Sequence, residues 1–464
     1  MNHPSDPLYH WPAFAAKMHQ ANLAPAVIEI FRNYYQMVVR GEGGLISNRD
    51  IEPVAAADVQ SVDNLASYRT AGRQAMAHFV MIVLNGGLGT SMGLKTAKSL
   101  LIVKNNLSFL DIIVQQAQQS NTRLAIMNSF STDADTRAAL ARINPSQAPL
   151  LFLQNKFPKI LRQDFGPAAW SANPTLEWNP PGHGDVYTAL YTSGTLQKLL
   201  DNGIRYALLC NSDNLGATAD EGLLGYFATQ NLPFVMEVAE RTPADMKGGH
   251  LARHKDGRLI LREIAQCPQN DLDAFKDIEQ FRFFNTNNLW VNLEQLKALI
   301  IRGGVMRLPM ILNPKTLDPR DEQSPPVYQV ESAMGAAIAL FEDAAAVKTR
   351  PSRFCPVKKC NDIMALRSDC FVLDTHRHMV QNPERNLGRI KIALDPRYYG
   401  HIDRFDQRFP EGVPSLIDCA SLTIKGDVAF QGDVTITGNV TIQNNRASQA
   451  VVKANALIDR DLIL

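Results

Sequence analysis

A glycine-rich turn between an apolar run and two lysines is the stretch of this sequence best suited to chemistry. The run FVMIVL (79–84) precedes four glycines and two lysines, namely Gly86, Gly87, Gly89, Gly93, Lys95 and Lys98. Glycine lets a backbone approach a ligand closely, and exposed N–H groups together with ammonium groups bind phosphate. We interpret the turn as a phosphate cradle, the alternative being a purely structural turn. Its GxGxxxG spacing fits neither the dinucleotide fingerprint nor the P-loop.

A second group of polar residues follows another apolar run, in LLCNSDNLGA (208–217). Asp213 stands close behind the run, where a carboxylate suits Mg²⁺, which prefers one or two carboxylates together with phosphate oxygens. An Asx-turn or helix cap is the alternative, and it explains Asn214 better than Asp213.

Three further loops carry residues able to bind a polar ligand. In NPPGHGD (179–185), His183 stands between two glycines, which makes a packed core position unexpected; a surface turn is the alternative. In FNTNNLWVNL (284–293), three asparagines precede an apolar run, and an amide both donates to and accepts from sugar hydroxyls or a base edge. In RPSRFCPVKKCND (350–362), Lys358 belongs to a basic cluster that, taken alone, is more often a solvated face.

The elements that must position these loops follow from hydrophobic periodicity. Short apolar runs recur at 79–84, 124–127, 150–153, 206–210 and 234–238, with amphipathic stretches between several of them. Strands that alternate with helices indicate a mostly parallel α/β sheet, in which ligands bind beyond the carboxyl ends of the strands. Residues 1–75 are expected to be mainly helical, and residues 76–409 to form the α/β domain that carries these loops.

The C-terminal segment 410–464 has a different rhythm. Glycines recur every six residues at Gly426, Gly432 and Gly438, and aliphatic positions keep the same period. A six-residue repeat of this kind is typical of a parallel β-helix, with a meander of short strands as the alternative.

Composition limits the class of protein. The net charge is +1, with 47 basic and 46 acidic side chains, which argues against a nucleic-acid or membrane-surface binder. Six scattered cysteines without a CxxC motif indicate reduced thiols, and neither a signal peptide nor a membrane-length apolar run is apparent. The expected location is cytoplasmic.

Taken together, the motifs closely resemble one family. The matching segments occur in order along residues 80–360 and are LNGGLGTSMG, FLDIIVQQ, PPGHGDVY, NSDNLGAT, KGGHL, FNTNNLW, VESAMGAAI and SRFCPVK. They resemble the eukaryotic-type UTP–glucose-1-phosphate uridylyltransferase (UDP-glucose pyrophosphorylase) family. The resemblance implies a Rossmann-like nucleotide-diphospho-sugar transferase domain followed by a left-handed β-helix. It also implies the Mg²⁺-dependent conversion of UTP and glucose 1-phosphate into UDP-glucose and pyrophosphate.

The resemblance also implies a set of site residues. They are Leu84, Asn85, Gly86, Gly87, Lys98, Gln154, Gly182, His183, Asn211, Ser212, Asp213, Asn287 and Lys358. Gln154 and Gly182 would contact uracil, and His183 the sugar phosphate.

Within that set, Asp213 would hold Mg²⁺, Asn287 would contact the glucosyl group, and Lys98 and Lys358 would act on the phosphates. One departure affects Lys98: the family's glycine–proline pair before the second lysine is Thr96–Ala97 here.

Several alternatives stay open at this point. A nicotinamide oxidoreductase would also place a glycine turn after a strand, and the C-terminal repeat suggests a hexapeptide acyltransferase. A uridylyltransferase for galactose or N-acetylhexosamine 1-phosphate and a non-catalytic nucleotide-sugar-binding protein remain as well. The repeat would also suit the formation of homo-oligomers.

Overall fold

The computed structural model describes residues 8–464 and is built around a large mixed sheet. Across the sheet the strands run in the order Gln60–Ser61, Ala345–Lys348, Phe234–Glu240, Phe283–Asn292, Tyr206–Asn211, Phe79–Asn85, Arg123–Asn128 and Leu150–Leu153. Phe283–Asn292 is antiparallel to both of its neighbours, and the other pairings along this order are parallel. The predicted α/β sheet is confirmed as a mixed sheet, and each of the five apolar runs forms one of its strands.

The sheet is covered on both faces, which explains why its strands are continuously apolar. In Phe79–Asn85, alternate side chains enter two different hydrophobic clusters: Phe79, Met81 and Val83 pack on one face, and Val80 and Ile82 on the other. The helices of the described residues are Trp11–Gln20, Pro25–Val39, Arg69–Ala75, Phe109–Gln119, Asp133–Ile143, Val186–Thr192, Thr195–Asp201, Glu221–Thr229, Leu272–Lys276, Leu293–Gly303, Cys360–Arg367, Pro396–Tyr399 and Ile402–Arg408. No helix in residues 8–464 combines the length and the hydrophobicity needed to cross a bilayer.

The N-terminal helices pack on a small antiparallel unit beside the main sheet. That unit consists of Ile160–Leu161, Met310–Thr316 and Pro326–Ser332, with the pair Phe157–Pro158 and Trp178–Asn179 next to it. Phe14, Phe31 and Tyr35 pack with Phe157 in one aromatic cluster.

The region predicted to be mainly helical also contributes strands. Ile51–Pro53 pairs with His250–His254, which in turn pairs with Leu259–Arg262, and Gln60–Ser61 forms one edge of the main sheet. Residues 1–7 of that region lie outside the described residues.

The three asparagines of FNTNNLW are themselves part of a strand. Phe283–Asn292 includes them, and its pairing with Phe234–Glu240 shifts register between Met236 and Val238. Asn287 has φ +58°, in the left-handed region that asparagine tolerates better than most residues. The irregularity lets polar side chains interrupt a buried strand.

The C-terminal strands pair in parallel and form three short sheets. One joins Lys391–Leu394, Cys419–Lys425, Gly438–Gln443 and Leu462–Ile463; the others join Val428–Phe430 with Ala450–Val452 and Thr435–Ile436 with Leu457–Ile458. Leu422 pairs with Val440, 18 residues further on, so one circuit here spans three six-residue repeats. The aliphatic positions of the repeat, such as Ile424, Ile436 and Ile442, are buried.

Candidate active site

A cavity of about 390 Å³ lies beyond the carboxyl ends of adjacent parallel strands of the main sheet. Its lining comes from Leu84, Gly86, Gly87, Gly89, Lys98, Met127, Gln154, Pro180, Gly182, His183, Asn211, Ser212, Asp213 and Glu331. Segments separated by up to about 250 residues of sequence therefore meet at this edge, where ligands bind in α/β folds.

Ten of the thirteen predicted site residues line this cavity, and three do not. Asn85 is buried, and its side-chain amide donates to Asn128 Oδ1 and Thr136 Oγ1, both at 2.9 Å. Its side chain thus ties the glycine turn to the neighbouring strand and the helix behind it, instead of facing the cavity. Asn287 and Lys358 lie outside the lining, as does the exposed Lys95.

Asn287 and its neighbours connect to the cavity through His183. Met334 N–H donates to His183 Nδ1 at 3.0 Å, and a Cβ atom on the next residue, Gly335, would lie 2.6 Å from Asn285 Nδ2. Asn285 in turn donates to Asn287 Oδ1 at 2.8 Å. The two asparagines therefore form a polar extension of the site.

Lys358 is exposed at the margin of that extension. Its ammonium lies near Glu263: burial raises the pKa of the Glu263 carboxyl, and the positive charge of Lys358 partly offsets the shift. Glu263 itself lies directly against Gly249, whose carbonyl accepts from Asn285 N–H. Lys358 is thus related to the asparagines only through Glu263 and Gly249, and it is not part of the cavity wall.

The glycine turn brings Lys98 into the cavity despite the Thr96–Ala97 departure. Lys98 begins a short 3₁₀ turn, and its backbone N–H donates to Gly87 O at 3.1 Å. The ammonium donates to Asp213 Oδ2 at 2.5 Å and also to Val357 O. One cation thereby connects the glycine turn, the predicted metal-binding carboxylate and the loop that leads to Lys358.

Asp213 has one oxygen available for a ligand. Lys98 occupies Oδ2, whereas Oδ1 is buried and has no hydrogen-bond partner in residues 8–464. No group of three or more His, Cys, Asp or Glu side chains in the described part of the chain could hold a metal ion. A single carboxylate oxygen without a partner is the kind of ligand that Mg²⁺ prefers, together with phosphate oxygens and water.

His183 is a neutral hydrogen-bond donor. Because Nδ1 accepts the Met334 N–H, the ring proton must reside on Nε2. Burial lowers the pKa of His183 to about 4, so the imidazole stays uncharged near neutral pH. Such a ring donates a hydrogen bond to an anion without adding charge.

Gln154 is clamped between the two glycine-containing loops. Its Nε2 donates to Gly182 O at 2.7 Å, and a Cβ atom on Gly86 would lie only 2.6 Å from its Oε1. Gly86 is therefore required by the close approach of this amide, which lies at the cavity wall.

Glu331 is a cavity residue that the motif analysis missed. It belongs to VESAMGAAI, one of the segments that carry the resemblance, but no role followed from that match. In the strand Pro326–Ser332 it lies beside Gly182, and burial raises the pKa of its carboxyl. No spacing signal marks this glutamate, because only the packing of the small antiparallel unit brings it to the cavity.

The loop in front of Lys358 is anchored by a buried ion pair. Arg353 donates to both carboxylate oxygens of Glu237, at 2.8 and 2.6 Å, and Trp290 Nε1 donates to the same carboxylate at 2.9 Å. Asn214, one residue after Asp213, donates to Arg353 O at 3.0 Å. The loop is thus fixed to the sheet and to the Asp213 turn.

Substituting Gly182 by alanine is expected to destabilise the protein by at least ~2 kcal/mol and to reduce substrate affinity. Gly182 has φ +78° and ψ +170°, a combination that is essentially restricted to glycine and costs an L-residue about 1–3 kcal/mol, and its Cβ would lie 2.5 Å from Ser332 O. Urea denaturation measures the first effect, and ligand titration the second. Gly194→Ala is a control for positive φ without a clash, because Gly194 has φ +73° and ψ 0° but open space around its Cβ position. Equal losses for the two variants would contradict the steric argument.

Fold and site together define a class: an α/β protein with a cavity at the carboxyl edge of its sheet, lined by a glycine turn, a lysine and a carboxylate. The family model described as UTP–glucose-1-phosphate uridylyltransferase matches residues 28–437, and the chain belongs to this family. This membership favours the uridylyltransferase interpretation over the oxidoreductase and acyltransferase alternatives.

Relatives support the same assignment. The UTP–glucose-1-phosphate uridylyltransferases of Solanum tuberosum and Hordeum vulgare are each 39% identical over 360 residues, covering 76% of this chain and 74% of the relative. A Leishmania major UDP-glucose pyrophosphorylase variant, solved in complex with UDP-glucose, is 41% identical with a TM-score of 0.89. A Trypanosoma brucei UDP-glucose phosphorylase is 42% identical with a TM-score of 0.88. Both structural matches cover 98% of this chain and 99% of the other.

Proposed function

We propose that this protein transfers the uridylyl group of UTP to glucose 1-phosphate, giving UDP-glucose and pyrophosphate. The observation that carries the proposal is the convergence of the family's motifs, glycine turn, His183 and Asp213, in a single cavity of a chain that belongs to the family. A uridylyltransferase acting on galactose or N-acetylhexosamine 1-phosphate is the second candidate.

In this proposal the cavity binds the nucleotide with its base at Gln154 and its phosphates near Lys98. Two contacts support this arrangement. The side chain of Gln154 lies between Gly86 and Gly182, and the Lys98 ammonium donates to the Asp213 carboxylate. The remaining lining residues with proposed substrate contacts are Leu84, Gly87, Asn211 and Ser212. Asn287 would contact the sugar.

We propose Mg²⁺ as the cofactor, held by Asp213 through its unpartnered Oδ1. When bound, the ion would neutralise phosphate charge and favour departure of pyrophosphate.

No protein nucleophile is required for this reaction. The oxygen of the sugar phosphate attacks the α-phosphorus of UTP and the bond to pyrophosphate breaks, so the protein must bring two anions together and stabilise the charge. Lys98 supplies positive charge inside the cavity, and His183 donates from Nε2 without charge. Lys358, at the margin, would reach the phosphates once substrate is bound.

Pyrophosphate release with a panel of nucleoside triphosphates and sugar 1-phosphates tests the proposal. We expect turnover with UTP and glucose 1-phosphate, and dependence on added Mg²⁺. Turnover only with N-acetylglucosamine 1-phosphate or galactose 1-phosphate would establish the second candidate. Binding of UTP without turnover on any sugar phosphate would indicate a non-catalytic nucleotide-sugar-binding protein.

Lys358→Ala is expected to reduce kcat by about 10²–10³-fold while leaving the fold intact, the usual cost of losing one contact that stabilises transition-state charge. The side chain is exposed, so its removal disturbs no packing. Steady-state kinetics and thermal denaturation measure the two quantities. Lys359→Ala is the matched control, because it removes the same kind of side chain at the neighbouring position, which is also exposed. Near-normal turnover of Lys358→Ala would exclude the proposed role.

We further propose that residues 410–464 form a left-handed parallel β-helix that mediates homo-oligomers, after an N-terminal region (1–75) and a catalytic domain (76–409). Strands pair across both boundaries: Gln60–Ser61 with Ala345–Lys348, and Lys391–Leu394 with Cys419–Lys425. The parallel pairing across three short sheets supports a β-helix. Val451, Leu457 and Ile463, on its last strands, expose apolar side chains. Light scattering after gel filtration should show an oligomer that Leu457→Lys with Ile463→Lys dissociates; a monomeric parent protein would refute this.

We also propose that the protein is located in the cytoplasm. All six cysteines are free, and five of them are buried. Thiols of this kind persist most readily in a reducing compartment. Cell fractionation tests it, and recovery from an oxidising compartment would contradict it.

A further inference from the structure

The amide of Gln154 has only one orientation that its surroundings permit. Its Nε2 donates to Gly182 O at 2.7 Å, and a carbonyl oxygen can only accept. Rotating the amide by half a turn would bring Oε1 against Gly182 O, acceptor to acceptor. The carbonyl oxygen Oε1 is consequently held against Gly86, at the wall of the cavity.

A fixed amide distinguishes between pyrimidine bases. Uracil carries a donor at N3 and an acceptor at O4, whereas cytosine carries an acceptor at N3 and a donor at N4. An amide that offers Oε1 as acceptor suits the uracil edge and opposes the cytosine edge. This reasoning rests on the proposed function, in which the base lies at Gln154.

A buried carboxylate fixes the residue that follows Gln154. Asp185 Oδ2 accepts the backbone N–H of Asn155 at 2.6 Å, and Asn155 Nδ2 donates to Oδ1 and Oδ2 at 2.9 and 3.1 Å. Asp185 lies in the same loop as Gly182. The loop and the strand end are therefore joined at two adjacent points, Gln154 to Gly182 and Asn155 to Asp185.

Burying this carboxylate has a cost. Burial raises the pKa of Asp185 to about 7, and the hydrogen bonds from Asn155 offset only part of the shift. Both carboxyl oxygens nevertheless accept from Asn155, through its backbone N–H and its Nδ2. An alanine at position 185 would offer neither acceptor, so Asn155 would lose all of these hydrogen bonds.

We propose that Asp185 is a positioning residue for nucleotide selection: by clasping Asn155 it holds the Gln154 amide in the orientation that accepts uracil and rejects cytosine. Asp185 does not need to touch the substrate. Its loss lets residues 154–155 shift relative to Gly182, so that the amide can turn toward a cytosine edge.

The test compares kcat/KM for UTP and CTP at saturating glucose 1-phosphate and Mg²⁺. We expect the unchanged protein to prefer UTP by at least ~10²-fold, because a mismatched base leaves buried polar groups unpaired. Asp185→Ala should lower this ratio about tenfold or more, mainly through a higher KM for UTP, with kcat changed little. Asp185→Asn, which preserves shape and can still accept, should restore part of the preference.

Asp369→Ala is the matched control. Asp369 also clasps a loop, accepting from Ser415 Oγ and from Leu416 N–H, but at the C-terminal strands and away from the cavity. Its substitution should lower the unfolding temperature and leave the UTP/CTP ratio unchanged. Calorimetric binding of UDP and CDP gives the same ratio without turnover.

The outcomes separate the inference from the proposed function. Lack of UTP turnover in the unchanged protein overturns the proposed function, and equal use of UTP and CTP by it overturns the inference alone. An unchanged ratio in a folded Asp185→Ala protein also overturns the inference. If that variant does not fold, Asn155→Ala takes its place, because it removes the two hydrogen bonds that Asn155 Nδ2 donates to Asp185. A retained UTP/CTP ratio in Asn155→Ala contradicts the proposal, and a lowered ratio supports it.

Discussion

Replacing Asp213 by asparagine is expected to reduce kcat/KM by about 10²–10³-fold, the usual cost of removing one preorganised charge contact from an active site. The change keeps the shape of the side chain but removes the negative charge that pairs with Lys98 and that would hold Mg²⁺. Lys98 would then lie at 2.5 Å from a neutral amide or move away. Initial rates over a Mg²⁺ titration measure the effect.

Two features of that titration make the prediction specific. If Asp213 binds the ion, the variant should need much more Mg²⁺ for half-maximal rate, rather than showing a lower rate at an unchanged midpoint. Asp220→Asn is the control: Asp220 accepts from Leu223 N–H as a helix N-cap, a position where asparagine serves equally well. An unchanged Mg²⁺ midpoint in Asp213→Asn would exclude a metal-binding role.

Glu237→Gln is expected to lower the free energy of unfolding by about 3–5 kcal/mol, the usual cost of leaving one partner of a buried ion pair uncompensated. Glu237 is fully buried, and the Arg353 side chain is 9% exposed. The guanidinium would keep its hydrogen bond to Thr218 O but lose the carboxylate that balances its charge. Urea denaturation at neutral pH measures the loss.

The same loop supplies a control for this prediction. Arg350 pairs with Asp63 at 2.7 Å, but both side chains are more than half exposed, so Asp63→Asn should cost no more than ~1 kcal/mol. Glu237→Gln should also lower kcat, because Arg353 anchors the loop that carries Lys358. A loss of stability similar to that of Asp63→Asn would show that the buried pair does not hold the loop.

The strands of the sheet could be predicted because their signal is local. A central strand buries both faces, so the run at 79–84 must be apolar at every position, and glycine must follow where the chain turns near the ligand edge. The same holds for the six-residue repeat near the C-terminus, in which identical positions face inward in each segment. These patterns are set by residues that are close together in the sequence, so the sequence alone contains the information needed to recognise them.

The direction of Phe283–Asn292 could not be predicted in this way. Antiparallel and parallel strands that are buried on both faces have similar composition, and the asparagines hid the start of this strand. Its position between two strands with which it runs antiparallel depends on pairing with residues 43 to 86 positions away. Local propensity carries no information on that pairing.

The same distinction between local and long-range information applies to the candidate site. The sequence by itself determined which segments carry the chemistry, since glycine turns, the Asp213 turn and the His183 loop are recognisable from residue type and spacing. Only the tertiary structure decided that Asn85 faces the sheet, that Glu331 reaches the cavity, and that Asp185 clasps Asn155. The physical reason is that an ordinary carboxylate or amide acquires its role from burial and partners, and distant segments supply both when the chain packs.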